Sequence, residues 1–386
     1  MRLDELADRE DFWRIFGDTF SKMWAGILER PVRVSLGVRG GGQLWRVQPL
    51  LTAVFSGTPS RRARRFLRDS FCFTSVKHRM LPQLAAGAAL TTPLGIRGSS
   101  RGAFRVVPAI PGPEHLLILP GNRRIRLFDF GRGMSRVHIK SGFDRGAIGA
   151  EVTVRGGGAE GPFVPITRHG ADFAWFEEAI FEGYSLARCP PWFAAHRLAR
   201  KAVAALDDWA EAGDTVSAKD AATDLVDSIG SMVDSMPHLA GLQIVHTSER
   251  LAERVSPSIH VERTASHGDL QPGNVLVGRE GTRVVLTDWE FHGLRIAHYD
   301  RLVLALGARS PRGLGSRLGR FVRNEATSSL LTELPRNSSW RITRSALFGL
   351  EDIEWRLSNC QNVPYETVPS GLCTLVQELA ELHPQF

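Results

Sequence analysis

Apolar and polar positions alternate along this chain with two periods, and the changeover between them divides it. Residues 1 to about 30 place Leu6, Phe12, Phe16, Phe20, Met23, Trp24, Ile27 and Leu28 at helical spacing, which predicts one or two amphipathic helices. Such an aromatic stripe serves as core or as a membrane or partner face. Gly40-Gly-Gly42 breaks the pattern, and Gln43 to Phe55 reads as extended. Helical periodicity runs to about Leu90, and Thr91 to Pro113 is rich in Gly, Ser and Pro. From His115 the period shortens to two. Two strands are predicted around Pro120-Gly-Asn122, then a third from Met134 that ends in Lys140. A short, glycine-broken helix over 144–154 and a flexible run, Arg155 to Gly161, separate these from strands over Phe163–Thr167 and Ala174–Leu186. Helices are predicted over Ala194–Ala212, Ala218–Met236 and Leu242–Val255, and again over Ala297–Leu306, Arg317–Phe321, Ser345–Leu357 and Leu372–Leu382.

Composition narrows the class. At 386 residues, with 43% hydrophobic and 23% charged positions, the chain has the make-up of a soluble globular protein with a substantial core. No apolar run reaches membrane-spanning length and Met1-Arg-Leu-Asp-Glu5 lacks an apolar signal region, so the expected location is cytoplasmic. Cys72, Cys189, Cys360 and Cys373 lack metal-site spacing and read as reduced thiols. The net charge is +7, yet only five of the 48 basic residues are lysines, which makes a lysine at a strand end informative. The densest basic run, Pro59 to Arg68, reads either as a patch for phosphate or anionic headgroups or as a solvated helix face. Nothing specific points to nucleic acid.

Between the predicted helices lies the chemistry. Ala265-Ser-His-Gly-Asp-Leu-Gln-Pro-Gly-Asn-Val-Leu-Val277 is followed by Val284-Val-Leu-Thr-Asp-Trp-Glu290. Asp269 and Asn274 are five apart, the H-x-D-x-x-x-x-N spacing of a kinase catalytic loop, and Asp288 closes an apolar run that reads as a strand. Transfer of a phosphoryl group needs in-line positioning and neutralised phosphate charge. Mg²⁺ takes hard oxygen ligands, which Asp288 and the Asn274 amide supply. Asp269 then accepts or orients the acceptor hydroxyl.

His267 to Leu276 with Asp288-Trp-Glu290 resembles the aminoglycoside phosphotransferase/choline kinase branch of the protein-kinase-like fold, which reads H-G-D-x-x-x-x-N and then D-W/F-E/D. Gln271 stands where many relatives have His. The resemblance covers roughly residues 115 to 310. It implies that Lys140 is the strand-three lysine holding the nucleotide phosphates, and that Glu151 supports it. By the same resemblance the first hairpin would lie over the phosphates, with the backbone of Gly121 and Asn122 and the charge of Arg123 or Arg124 available. The strand ending near Glu178, Ala179 and Ile180 is similar to the family's lobe-connecting hinge, which implies that the adenine edge pairs with its backbone. His267 belongs with Asp269 in the catalytic loop and is read as bracing it, as is Asp300.

The expected fold is therefore α+β and two-lobed: an N-terminal extension over 1–110, a small antiparallel β lobe over 111–186, and a helical large lobe over 187–386. The expected activity is Mg²⁺-dependent transfer of the γ-phosphate of ATP or GTP to a hydroxyl of a small molecule or sugar. The alternatives are a non-catalytic nucleotide-binding pseudokinase and a kinase for a glycan or protein acceptor. The basic N-terminal region is the candidate for any contact with a membrane surface.

Overall fold

A computed structural model describes residues 11–37, 39–71, 77–190, 192–326, 328–361 and 371–382. Leu6 and Cys72 of the sequence reading fall outside these. The chain folds as two compact units, Met1–Ala195 with Leu276–Thr287, and His196–Val275 with Asp288–Phe386.

The first unit is built on a nine-stranded antiparallel sheet in the order β1-β4-β2-β3-β5-β6-β7-β9-β8. Its strands are β1 Arg33–Leu36, β2 Gln43–Gln48, β3 Ala53–Ser56, β4 Arg101–Val107, β5 Leu116–Pro120, β6 Arg124–Asp129, β7 Met134–Ile139, β8 Ile166–His169 and β9 Trp175–Ala179. The expected three-strand meander is β5-β6-β7, closed by the Pro120-Gly-Asn122 turn and registered Ile125↔His138. The sheet runs straight through the boundary expected at residue 110, because β3 pairs with β5 at Val54↔Ile118. The N-terminal strands thus enlarge the same sheet.

Side-chain alternation explains the layering. In β5, Leu116 and Ile118 point to one face and Leu117 and Leu119 to the other. The first face packs on α1, Phe12–Leu28, whose Phe12, Phe16, Phe20, Met23 and Trp24 recur at three- and four-residue steps. Phe20 sits edge-on to both Trp45 and Phe104, with ring centroids 5.3 and 5.1 Å apart. The aromatic stripe of the N-terminus is therefore core. The opposite face is covered by α2, Arg61–Phe71, and α4, Pro93–Ser99, through Ala63, Leu67 and Ile96. Between them comes α3, Lys77–Leu90, which packs on both. The Gly, Ser and Pro content of Thr91–Pro113 concealed α4 and β4, although Thr92 caps α4 by accepting from Gly95 N and Pro93 opens it. Helix α5, Gly146–Arg155, is the expected short helix. After β9 the chain forms β10, Gly183–Ser185, which pairs with Val275–Gly278, itself paired to Val284–Leu286.

The second unit is mainly helical. Its core gathers Ala218–Asp234, Ile244–Ala252, Tyr299–Leu306, Leu314–Val322 and Leu372–Ala380 around the long helix Ser338–Gln361. A small sheet of Ala212–Ser217, His260–Ser266 and Gly293–Ile296 stands beside them. Gly213 and Asp214 interrupt the pattern of the first of these strands and the last is only four residues long, so neither shows in the sequence pattern. Together the units give the expected α+β, two-part organisation.

Phe20 is fully buried among rings. Phe20→Ala is expected to destabilise the protein by about 3–5 kcal/mol in denaturant titration, the usual cost of removing a core aromatic. A loss below about 1 kcal/mol would mean that α1 is not part of this core.

Candidate functional site

The strand His260–Ser266 delivers the loop 267–274, and Gly293–Ile296 returns to pair with it in the register Ser266↔Gly293. That pairing ties the segment just after Asp288 to the strand just before His267. The loop itself is held by Asp300, whose buried carboxylate accepts from Ser266 Oγ (2.6 Å) and from the backbone N–H groups of His267 (2.7 Å), Gly268 (3.1 Å) and Leu270 (3.3 Å). At Gly268 φ is +81°, and an added Cβ would lie 2.0 Å from Phe291 O, so only glycine fits the turn. The His267 ring is buried, accepts from Asp269 N through Nδ1 at 3.2 Å, and lies 4.6 Å from the Trp289 ring. These contacts tie the ring to the loop.

Within this turn Asp269 and Asn274 meet. Asn274 Nδ2 donates to Asp269 O (2.9 Å) and to Asp269 Oδ2 (3.0 Å), and Gln271 Nε2 donates to the same Oδ2 at 2.9 Å. The amide nitrogen is thereby committed to Asp269, and the amide oxygen is what Asn274 has to offer a cation. Asp288 adopts a left-handed backbone with φ +73°, a conformation that aspartate tolerates better than most residues and that marks functional turns. Asn274 and Asp288 provide hard oxygen donors, which fits Mg²⁺ completed by phosphate and water. Among the described residues no group of three or more His, Cys, Asp or Glu gathers as an all-protein metal site.

The sequence reading missed a mostly buried cation at this loop. Arg309 donates from Nε to Asp269 Oδ1 at 2.5 Å, from Nη2 to Gly268 O at 3.0 Å, and from Nη1 to Asp352. Its guanidinium lies 3.4 Å from the Trp355 ring centroid. Asp352 is fully buried and also accepts from Arg356 Nε at 3.3 Å. Burial pushes the Asp269 carboxyl above the usual aspartate value of 3.8, and Arg309 opposes that shift. Burial also works against the charge of Arg309, but Tyr299, Asp269 and Asp352 more than offset it, so the guanidinium stays cationic. Trp355, read from sequence as core, is buried and forms the floor of this ion pair.

In the first unit Lys140 follows β7 as expected. It is buried, donates its backbone N–H to Arg123 O (2.8 Å), and sets Nζ 5.8 Å from the Phe12 ring and 5.5 Å from the Phe143 ring. Helix α1 thus walls the lysine. Glu151 lies on α5, fully buried, but both its carboxylate oxygens are engaged by arginines, Oε1 by Arg124 and Oε2 by Arg155. Arg155 reaches on to Glu178, which also binds Arg126 at 2.6 Å. The support expected for Lys140 is therefore a link in a buried chain, Arg124–Glu151–Arg155–Glu178–Arg126. Glu178 belongs to that chain and to the sheet, paired opposite Ser135 and Ile166, which differs from the hinge role the resemblance implied. Ile180 spends its N–H on Gly133 O at 2.9 Å, while Ala179, opposite Met134, is exposed at the strand end. The expected phosphate cradle differs too: Gly121 N donates to Arg124 O at 2.8 Å to close the hairpin, Asn122 is exposed, and Arg123 is buried.

No family model matches the chain, and no curated protein matches its sequence. Solved structures do resemble it. A choline/ethanolamine kinase family protein from Mesorhizobium loti is 14% identical, covering 78% of this chain and 95% of its own, with a TM-score of 0.44. Plasmodium vivax ethanolamine kinase is 11% identical over 85% and 96%, with a TM-score of 0.41. A thermostable mutant of aminoglycoside phosphotransferase APH(4)-Ia, in ternary complex with ADP and hygromycin B, is 13% identical over 70% and 93%, with a TM-score of 0.43.

Two measurements probe the buried ion pairs. Replacing Arg309 with Met strands the carboxylates of Asp269 and Asp352, and should cost roughly 3–5 kcal/mol of stability in urea titration. Its double variant with Asp352→Asn should recover part of that loss, and an additive double variant would disprove the coupling. Burial raises the Glu151 carboxyl, but Arg124 and Arg155 outweigh it and hold it at about 2, below the ordinary 4.5. A depressed acid contributes stability above its unfolded value that is lost as pH falls toward the folded one. Melting temperature should therefore fall between about pH 4.5 and pH 2, and less steeply in Glu151→Gln. Parallel curves for the two proteins would exclude Glu151 as the source.

Proposed function

We propose that this protein is a phosphotransferase that moves the γ-phosphoryl group of ATP or GTP to a hydroxyl of a small molecule or sugar, with Mg²⁺. The observation that carries the reading is the state of Asp269. Its carboxylate is fixed on one oxygen by Arg309 and on the other by Gln271 and Asn274, in a loop that Asp300 holds rigid. A carboxylate so restrained is suited to orienting an acceptor hydroxyl in line with the phosphorus and receiving its proton as the bond forms. Asn274 and Asp288 are the residues that would hold the metal, which when bound neutralises phosphate charge. Lys140 would pair with phosphate oxygens. A hydroxyl acceptor needs no covalent intermediate on the enzyme. His267, buried against Trp289, holds the loop and takes no part in proton transfer.

The pKa of Asp269 lies on the raised side, so the acid limb of the pH–rate profile should fall above the ordinary aspartate value of 3.8. Choline, ethanolamine and hygromycin B, named with the similar structures, are the acceptors to screen first.

Calorimetry of nucleotide binding with and without Mg²⁺, on wild type and Asp288→Ala, is the decisive test. Wild type should bind ATP or GTP with metal dependence, and Asp288→Ala should lose at least tenfold in affinity. Asp269→Asn should keep nucleotide binding and lose turnover by about 10²–10⁴-fold. A folded wild type that binds neither nucleotide with Mg²⁺ would refute the proposal.

A further inference from the structure

One face of the first unit is charged and apolar at once. Helices α2 and α4 bury Ala63, Leu67 and Ile96 against the sheet, so their other sides face outward, with α3 packed between them. Along α2, Arg61, Arg62, Arg65 and Arg68 are exposed. Arg62 is taken by Glu182 (2.5 Å), and the buried Asp69 is held by Arg279 (2.8 Å). Arg61 and Arg65 have no carboxylate partner among the described residues. Asp69 is the single acidic residue between Gly57 and Gly112, against ten arginines and lysines. The excess is local and much denser than a net +7 spread over 386 residues.

Beside these arginines the surface turns apolar. No charged residue occurs from Met80 to Leu94. Helix α3 exposes Leu81, Pro82, Ala85, Ala86, Ala88 and Ala89. Leu81 is 73% exposed, Leu94 82%, and Leu50, in the turn hydrogen-bonded through Gln48 to Ser99 of α4, 63%. A soluble surface of this size normally carries carboxylates among its arginines and few protruding leucines.

We infer that this face docks on an anionic lipid bilayer surface. Guanidinium groups form paired hydrogen bonds with lipid phosphates, and the protruding leucines enter the boundary between headgroups and acyl chains. The leucines favour a bilayer over nucleic acid, whose backbone offers them no hydrocarbon. No described helix is long and apolar enough to cross a membrane, so the contact is interfacial. The surface is made by α2 to α4, which carry none of Asp269, Asn274, Asp288 and Lys140, and the inference stands independently of the phosphotransferase reading.

Flotation of the full chain with vesicles of phosphatidylcholine alone, and with about a third phosphatidylserine, tests it. The anionic vesicles should bind at least tenfold more protein, and raising salt from about 0.1 M to about 1 M should remove most of that preference. Arg61→Glu with Arg65→Glu should lower partitioning at least tenfold. Leu81→Ser with Leu94→Ser should lower it severalfold and leave its salt dependence in place. Melting curves establish that each variant is folded. Equal partitioning onto neutral and anionic vesicles, or unchanged partitioning in both folded variants, overturns the inference. So does retention on heparin without flotation, which would mark a site for soluble polyanions. The wild-type comparison alone decides if a variant does not fold.

Discussion

The candidate chemistry rests on the carboxylate of Asp300. A tight loop inside a protein leaves several backbone N–H groups with no strand or helix partner, and each such orphan costs roughly 1–3 kcal/mol if it stays unmet. Asp300 collects those of His267, Gly268 and Leu270 together with the Ser266 hydroxyl. The loop can then hold the buried side chain of Asp269 in one orientation without leaving its own backbone unpaired. Everything proposed for Asp269 and Asn274 presupposes that arrangement, because positioning, more than reactivity, is what a phosphoryl-transfer site has to supply.

Arginine does in this protein what lysine and water do elsewhere. In one unit Arg155 bridges Glu151 and Glu178, and in the other Arg309 bridges Asp269 and Asp352 while Arg344 joins Glu351 to the carbonyls of Ile296 and Ala297. A planar fork of donors satisfies two acceptors at fixed angles, which an ammonium cannot. Burial on this scale stabilises less than it specifies: removing one member leaves an uncompensated charge, so each chain of pairs admits one packing.

What was legible in the sequence was local. The loop from His267 to Asn274 shows itself because its polar residues lie within eight positions, and the meander of β5 to β7 because period two and a Pro-Gly-Asn turn coincide. Asp300 was readable as a brace from its place after the motif. Arg309 and Asp352 were not, since Arg309 reaches Asp269 across 40 residues of chain and Asp352 across 43, and nothing near them marks the contacts. The N-terminal strands were hidden for a related reason. β4 lies between β1 and β2 in the sheet, a pairing no short window can show. Glu178 and Glu151 illustrate the limit of resemblance: a family pattern assigns them to a nucleotide, while their nearest charges are arginines of the same sheet and helix.

The division of the first unit between Met1–Ala195 and Leu276–Thr287 has a consequence for how the molecule comes into being. On the ribosome β10 emerges long before its partner, Val275–Gly278, and the third strand of that sheet, Val284–Leu286, have been made. Until then its edge has no mate within its own sheet, and the unit waits, incomplete, while all of 196–275 is synthesised. The N-terminal unit is therefore first begun and not first finished. A chain arrested anywhere in that interval carries an open strand edge, the kind of surface that chaperones bind and that neighbouring nascent chains can pair with.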